Sequence, residues 1–213
     1  MATDVNCVGC LPPKPSMPVN TVDDFVTKKL SFMSFNMHGF NQGIHIVRDM
    51  IFSDKIDICL LQEHWLTPFN LYKFNDFFPG YMCFGSSAMG SVIETGVLRG
   101  RPYGGVMILV NNELHKCTHF VCSDDRYVIV VIGNLIVINV YFPCVGSVDR
   151  LFIYEDVIEK ISLCLENYPD KTVILGGDLN VNLDDNNAIS KLFNQFAADS
   201  GLIRCDQLVP SVH

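Results

Sequence analysis

Apolar residues in this chain fall into short runs of two kinds, one strand-like and one helical. Leu30–Phe35, Ile56–Leu61, Leu135–Val140 and Thr172–Leu175 are dense apolar stretches bounded by polar residues, the pattern of β-strands covered on both faces. Asn41–Ser53 instead places Ile44, Val47, Met50 and Ile51 on one helical face. Arg150–Glu166 does the same with Leu151, Tyr154, Ile158, Ile161 and Leu165. Asn187–Asp199 turns Ile189, Leu192, Phe193 and Phe196 inward and stops near Gly201. A short amphipathic piece, Leu71–Phe78, ends at Pro79-Gly80. Tyr81–Gly85 reads as a strand, and the Gly- and Ser-rich stretch Ser86–Arg101 as a surface loop. Four strands are expected next, at Gly105–Val110, Leu114–Cys122, Tyr127–Ile132 and Leu135–Phe142, the last two joined by a tight turn at Gly133-Asn134. Hairpins mixed with strand–helix units predict a layered α/β sandwich.

With 213 residues and 49% hydrophobic content, the chain can bury one sizeable core in one domain. Residues 1–27 are Pro-rich without periodicity and read as a disordered tail. Cys7-Val-Gly-Cys10 within it has zinc-like spacing but no second pair to complete four ligands. No apolar run approaches the ~20 residues of a membrane-spanning helix, and the N-terminus lacks the basic start and apolar stretch of a secretory signal. The nine cysteines are odd in number, and most lie inside apolar runs, which predicts free thiols and an intracellular protein, nuclear or cytoplasmic. A net charge of −8 argues against tight nonspecific binding to nucleic acid. Lys28, Lys29, Arg99 and Arg101 are the candidate local cations.

Chemistry enters at the strand ends. Four polar islands follow the apolar runs: Ser34-Phe35-Asn36, Leu61-Gln62-Glu63, Asn139-Val140-Tyr141 and Gly176-Gly177-Asp178-Leu179-Asn180. Strands ending together deliver their last side chains to one edge. Two carboxylates, two carboxamides and a phenol meeting there suit a hard cation and a phosphate. Asp178 and Asn180, two apart at a strand end, are expected to point the same way, and Gly176-Gly177 to permit close backbone approach.

Asn36, Glu63, Tyr141 and the Gly-Asp178-Leu-Asn180 tract, in this order, resemble the endonuclease/exonuclease/phosphatase (DNase I-like) superfamily. Gln62-Glu63-His64-Trp65-Leu66 and Arg101-Pro102-Tyr103-Gly104-Gly105-Val106 look most like its non-LTR retrotransposon endonuclease branch. The resemblance implies a four-layered α/β sandwich, two packed mixed sheets flanked by helices, with activity on DNA phosphodiesters and Mg2+ or Mn2+ as cofactor. It makes Asn36 and Glu63 the metal residues, Tyr141, Asp178 and Asn180 catalytic, and Arg101 substrate-binding. Some relatives carry a second carboxylate where His38 stands.

Two later blocks of the family pattern, a Ser-x-Ile-Asp strand and a Ser-Asp-His tract, do not occur, and His213 does not replace the latter. The expectation is an incomplete domain over 28–213 that lacks its C-terminal strands and has little or no activity. A reverse transcriptase domain is expected downstream in a full-length protein. Two alternatives stand beside the endonuclease: a small-molecule or inositol phosphatase, disfavoured by Val181-Asn182 where such relatives carry an aromatic–Arg pair, and a non-catalytic remnant.

Overall fold

The computed structural model describes residues 29–90, 93 and 102–205. The tail over 1–27 with Cys7 and Cys10, most of the stretch 91–101 including Arg99 and Arg101, and His213 lie outside the described residues.

The apolar runs form two four-stranded mixed sheets. One contains β1 (Phe32–Asn36), β2 (Ile58–Gln62), β3 (Tyr81–Ser86) and β4 (Val106–Asn111) in the order β1-β2-β4-β3. The other runs β5 (Thr118–Asp124), β6 (Tyr127–Ile132), β7 (Leu135–Tyr141), β8 (Thr172–Asp178) in sequence order. β1 pairs parallel with β2, and β7 parallel with β8; the other pairings are antiparallel.

Side-chain alternation builds three cores from these two sheets. Ile58, Leu60, Val106, Ile108, Val128, Val130 and Val137 fill the space between the sheets. On the outer face of the first sheet, Cys59, Leu61, Met107 and Leu109 meet Ile44, Val47 and Ile51 of α1 (Phe40–Asp54) and Phe74 of α2 (Lys73–Phe77). On the outer face of the second, Ile129, Val131, Ile136 and Ile138 meet α3 (Arg150–Leu165) and α4 (Ala188–Asp199). The result is the expected four-layered sandwich. β1 and β8 are edge strands on the same side of it, with no further strand beside either among the described residues.

Three local expectations are corrected. The strand expected at Leu114–Cys122 begins only at Thr118; Asn112–Cys117 is a 3-10 turn, because the Asn111 side chain accepts from the Glu113 backbone N–H at 2.9 Å and draws the chain out of the sheet. The stripe of α3 is Tyr154, Val157, Ile158 and Ile161, while Leu151 in the first turn is 40% exposed. The segment after β3 does not start as a surface loop: Ser87, Ala88 and Met89 are buried, and Ser87 Oγ donates to the Leu66 carbonyl. None of the seven cysteines among the described residues is in a disulfide. None of the described helices is long and apolar enough to cross a membrane.

Candidate active site

The four strands that end in polar islands finish at one edge of the sandwich. Asn36 is the last residue of β1, and Glu63 follows the last of β2. Tyr141 and Asp178 close β7 and β8, where they are register partners. Because β1 lies against β8 across the sheet interface, the two pairs converge.

Asn36 joins them. Its Nδ2 donates to Glu63 Oε1 at 2.8 Å and to Asp178 Oδ2 at 3.0 Å. Only the NH2 end of a carboxamide can donate to two carboxylates, which fixes its orientation. Asn36 Oδ1 accepts from the His38 backbone N–H at 3.1 Å. Asn36 therefore braces the two carboxylates, with its carbonyl turned to the backbone.

Glu63 is held from further directions. Trp65 Nε1 donates to its Oε2 at 3.3 Å, and the Tyr141 hydroxyl hydrogen-bonds to the same carboxylate. His38 Nδ1 lies 3.6 Å from Oε2. The Tyr141 phenol is pushed well above the ordinary tyrosine range, first by burial and then by the Glu63 hydrogen bond and charge. The Arg126 guanidinium, 5.3 Å from the centre of the Tyr141 ring, opposes that shift.

Asp178 has both oxygens engaged, since the Asn180 backbone N–H donates to Oδ1 at 3.0 Å. Asn180 itself departs from the expected alternation. Its backbone is left-handed at φ 50, and its Nδ2 donates to the Phe142 carbonyl at 2.9 Å. Asn180 thus ties the end of β8 to the end of β7. Gly177 allows the close approach that the paired glycines suggested. At its φ of 127, an added Cβ would lie 2.0 Å from the Val140 carbonyl oxygen.

Left-handed backbone concentrates at this edge. Among the described non-glycine residues, His38, Glu63, Trp65 and Asn180 adopt positive φ here, and only Lys55 and Asp149 do so elsewhere. Such conformations persist where surrounding contacts over-determine them. Here the contacts are hydrogen bonds that continue past the strand ends: Gly39 N–H to the Glu63 carbonyl, Glu63 N–H to that of Gly105, and Trp65 N–H to that of Gly104.

Behind the site the support is buried. His64 is fully covered; its Nδ1 accepts from the Leu66 backbone N–H at 3.0 Å, so Nε2 carries the proton and donates to the Ser86 carbonyl at 3.0 Å. Burial pulls its pKa down to about 4. Gly105, at φ 87, is needed beneath it, because a Cβ there would meet the imidazole at 2.3 Å.

Sequence reasoning named Asn36, Glu63, Tyr141, Asp178 and Asn180; the structure brings the side chains of the first four together, while Asn180 reaches them through its backbone N–H and turns its side chain to the Phe142 carbonyl. Arg101 lies outside the described residues. Unforeseen were Arg126, whose place over Tyr141 depends on a hairpin turn in a different strand pair, and Arg150. The latter donates through Nε to the Pro143 carbonyl at 3.0 Å and through its other arm to that of Asn180. Trp65 was visible as part of a motif, but its hydrogen bond to Glu63 was not.

No group of three or more His, Cys, Asp or Glu forms a metal cage among the described residues. A magnesium site does not require one. Mg2+ usually keeps several waters and takes one or two carboxylates together with substrate phosphate. Glu63 and Asp178, joined through one amide, are such an oxygen-donor set and fit Mg2+ or Mn2+.

Residues 33–203 match the model of a family described as Endonuclease/Exonuclease/phosphatase. No curated protein matches the chain. Among solved structures, the fold is similar to the AP endonuclease LMAP from Leishmania major, with a TM-score of 0.60 and 16% identity over 88% of this chain and 72% of that one. It is also similar to the endonuclease domain of TRAS1, a telomere-specific non-LTR retrotransposon, with a TM-score of 0.56 and 14% identity over 81% and 71% of the two chains. A third likeness is to the 3′ phosphatase NExo from Neisseria bound to product DNA hairpin, with a TM-score of 0.57 and 16% identity over 81% and 71%.

Proposed function

Because this chain belongs to the Endonuclease/Exonuclease/phosphatase family, we propose that it hydrolyses phosphodiester bonds of DNA. In this reading it is the nicking endonuclease domain of a retrotransposon-type protein whose reverse transcriptase lies downstream. The observation that carries the reading is the Asn36 amide, which gathers Glu63 and Asp178 from opposite sheets into one donor set.

Each residue has a task that its surroundings suit. Glu63 would hold Mg2+ or Mn2+, which when bound relieves charge on the scissile phosphate. Asp178, with one lone pair on each oxygen already occupied by Asn36 and Asn180, is fixed in orientation and serves to align an attacking water and take its proton. The Tyr141 phenol remains protonated, and its one O–H, given to Glu63 in the structure, would turn to a phosphate oxygen when substrate binds. Arg126, beside it, adds positive charge that a chain of net charge −8 otherwise supplies sparingly.

Conversion of supercoiled plasmid to relaxed circle tests this. Slow nicking, in line with the low activity expected from the sequence, is expected with Mg2+ or Mn2+ and not with chelator, and Glu63→Gln or Asp178→Asn is expected to slow it by a further factor of about 10² or more. Nicking that survives both substitutions together, or a wild type silent with either cation, would overturn the proposal.

A further inference from the structure

His38 is aimed at Glu63 although most of its side chain, 75%, is exposed. Three features aim it. Its backbone is left-handed at φ 52, its N–H is anchored on Asn36 Oδ1 at 3.1 Å, and its ring lies 5.9 Å from that of Trp65, tilted by 31°. Nδ1 stands 3.6 Å from Glu63 Oε2, too far for a hydrogen bond. Two ligands sharing a first-row cation, each about 2.1 Å from it, are roughly 3 to 3.4 Å apart. Nδ1 and Oε2 need close by only a few tenths of an ångström to reach that separation. Glu63 cannot swing away, since Asn36 holds Oε1 and Trp65 holds Oε2.

The geometry points to His38 as a nitrogen ligand of the cation that Glu63 binds, giving the site a preference for a first-row transition-metal cation over Mg2+. The inference rests on the metal-dependent reading above. Mg2+ is hard, favours oxygen and gains little from imidazole, whereas ions such as Co2+ accept nitrogen readily. A purely oxygen-lined site would lack that discrimination. A histidine that merely covers the rim would leave it unchanged on removal.

The test is titration of the whole chain and of His38→Asn with Co2+, and with Mg2+ by displacement of Co2+. Asparagine tolerates the left-handed backbone and keeps the N–H that Asn36 receives. Binding is read from quenching of Trp65, the one tryptophan in the chain. Its indole lies against Glu63 and His38, so its emission reports on this site. The wild type is expected to bind Co2+ at least about tenfold more tightly than Mg2+. His38→Asn is expected to lose about tenfold in Co2+ affinity with Mg2+ affinity changed by less than about twofold. Unchanged Co2+ affinity, or an equal loss for both cations, would overturn the inference while leaving the metal-dependent reading in place. Failure of the wild type to bind either cation would remove that reading as well. Should His38→Asn not fold, the wild-type Co2+ form decides: a hyperfine-shifted exchangeable imidazole N–H resonance supports nitrogen ligation, and its absence counts against it.

Discussion

Gln62 Nε2 donates to Asn139 Oδ1 at 2.7 Å in a fully buried contact that ties β2 of one sheet to β7 of the other. Asn139 Nδ2 in turn donates to the carbonyls of Leu61 at 2.9 Å and Met107 at 3.0 Å, which are register partners across β2 and β4. Removing Gln62 strands Asn139 Oδ1, and removing Asn139 leaves Gln62 Nε2 with only the Leu60 carbonyl at 2.9 Å and Ser34 Oγ at 3.3 Å. Asn139→Leu or Gln62→Leu is expected to cost about 2–4 kcal/mol. The double substitution is expected to cost less than the sum, because neither amide is then left unpaired. Urea unfolding of the three variants checks this.

Asn36 has a different role, because its amide serves the site and not the core. Asn36→Ala leaves Glu63 and Asp178 facing one another without a shared donor. Nicking is expected to fall by about 10² to 10³-fold with little change in melting temperature. An equally large loss of stability would instead make Asn36 a structural strut.

Tyr141 is expected to act as a permanent donor. Its phenol titrates above the ordinary tyrosine value, so it stays protonated at any assay pH below about 10. Tyr141→Phe is therefore expected to lower the nicking rate by a constant factor between about pH 6 and 9, giving parallel profiles. Profiles that converge as pH rises within that window would show the phenol ionising there.

His64 gives the fold an acid-sensitive hinge point. Its folded pKa of about 4 lies below the ordinary value of 6.5, so between these values the unfolded chain binds the extra proton. The stability due to the neutral ring is complete above about pH 6.5 and falls as pH drops toward 4, by roughly 3 kcal/mol. His64→Gln is expected to be less stable at pH 7 yet to lack that slope. Denaturant midpoints measured across this range decide it.

The layers and the site were legible for one reason. Runs such as Ile56–Leu61 and Leu135–Val140 are too apolar to lie anywhere but in a covered strand, and a carboxylate and a phenol stand just past their ends. That placed Glu63 and Tyr141 at strand tips. The detail that escaped depends on contacts distant in sequence. Nothing local says that Asn180 turns left-handed to reach the Phe142 carbonyl, or that Arg126 lies over Tyr141. Nor does the apolar content of Leu114–Cys122 show that Asn111 will cap its own turn. His64 is ambiguous in sequence because a histidine beside a candidate metal-binding glutamate can serve chemistry or packing. Only its complete burial, with both ring nitrogens satisfied, decides for packing.

Asn36 and Glu63 come from one sheet, Tyr141 and Asp178 from the other, so their meeting gauges how the two sheets are seated. A swollen state that kept its helices and strands but let the sheets slip by even one residue pair would scatter the carboxylates while leaving far-ultraviolet dichroism almost unaltered. In such a molecule the proposed nicking is expected to be lost before the secondary structure and regained after it.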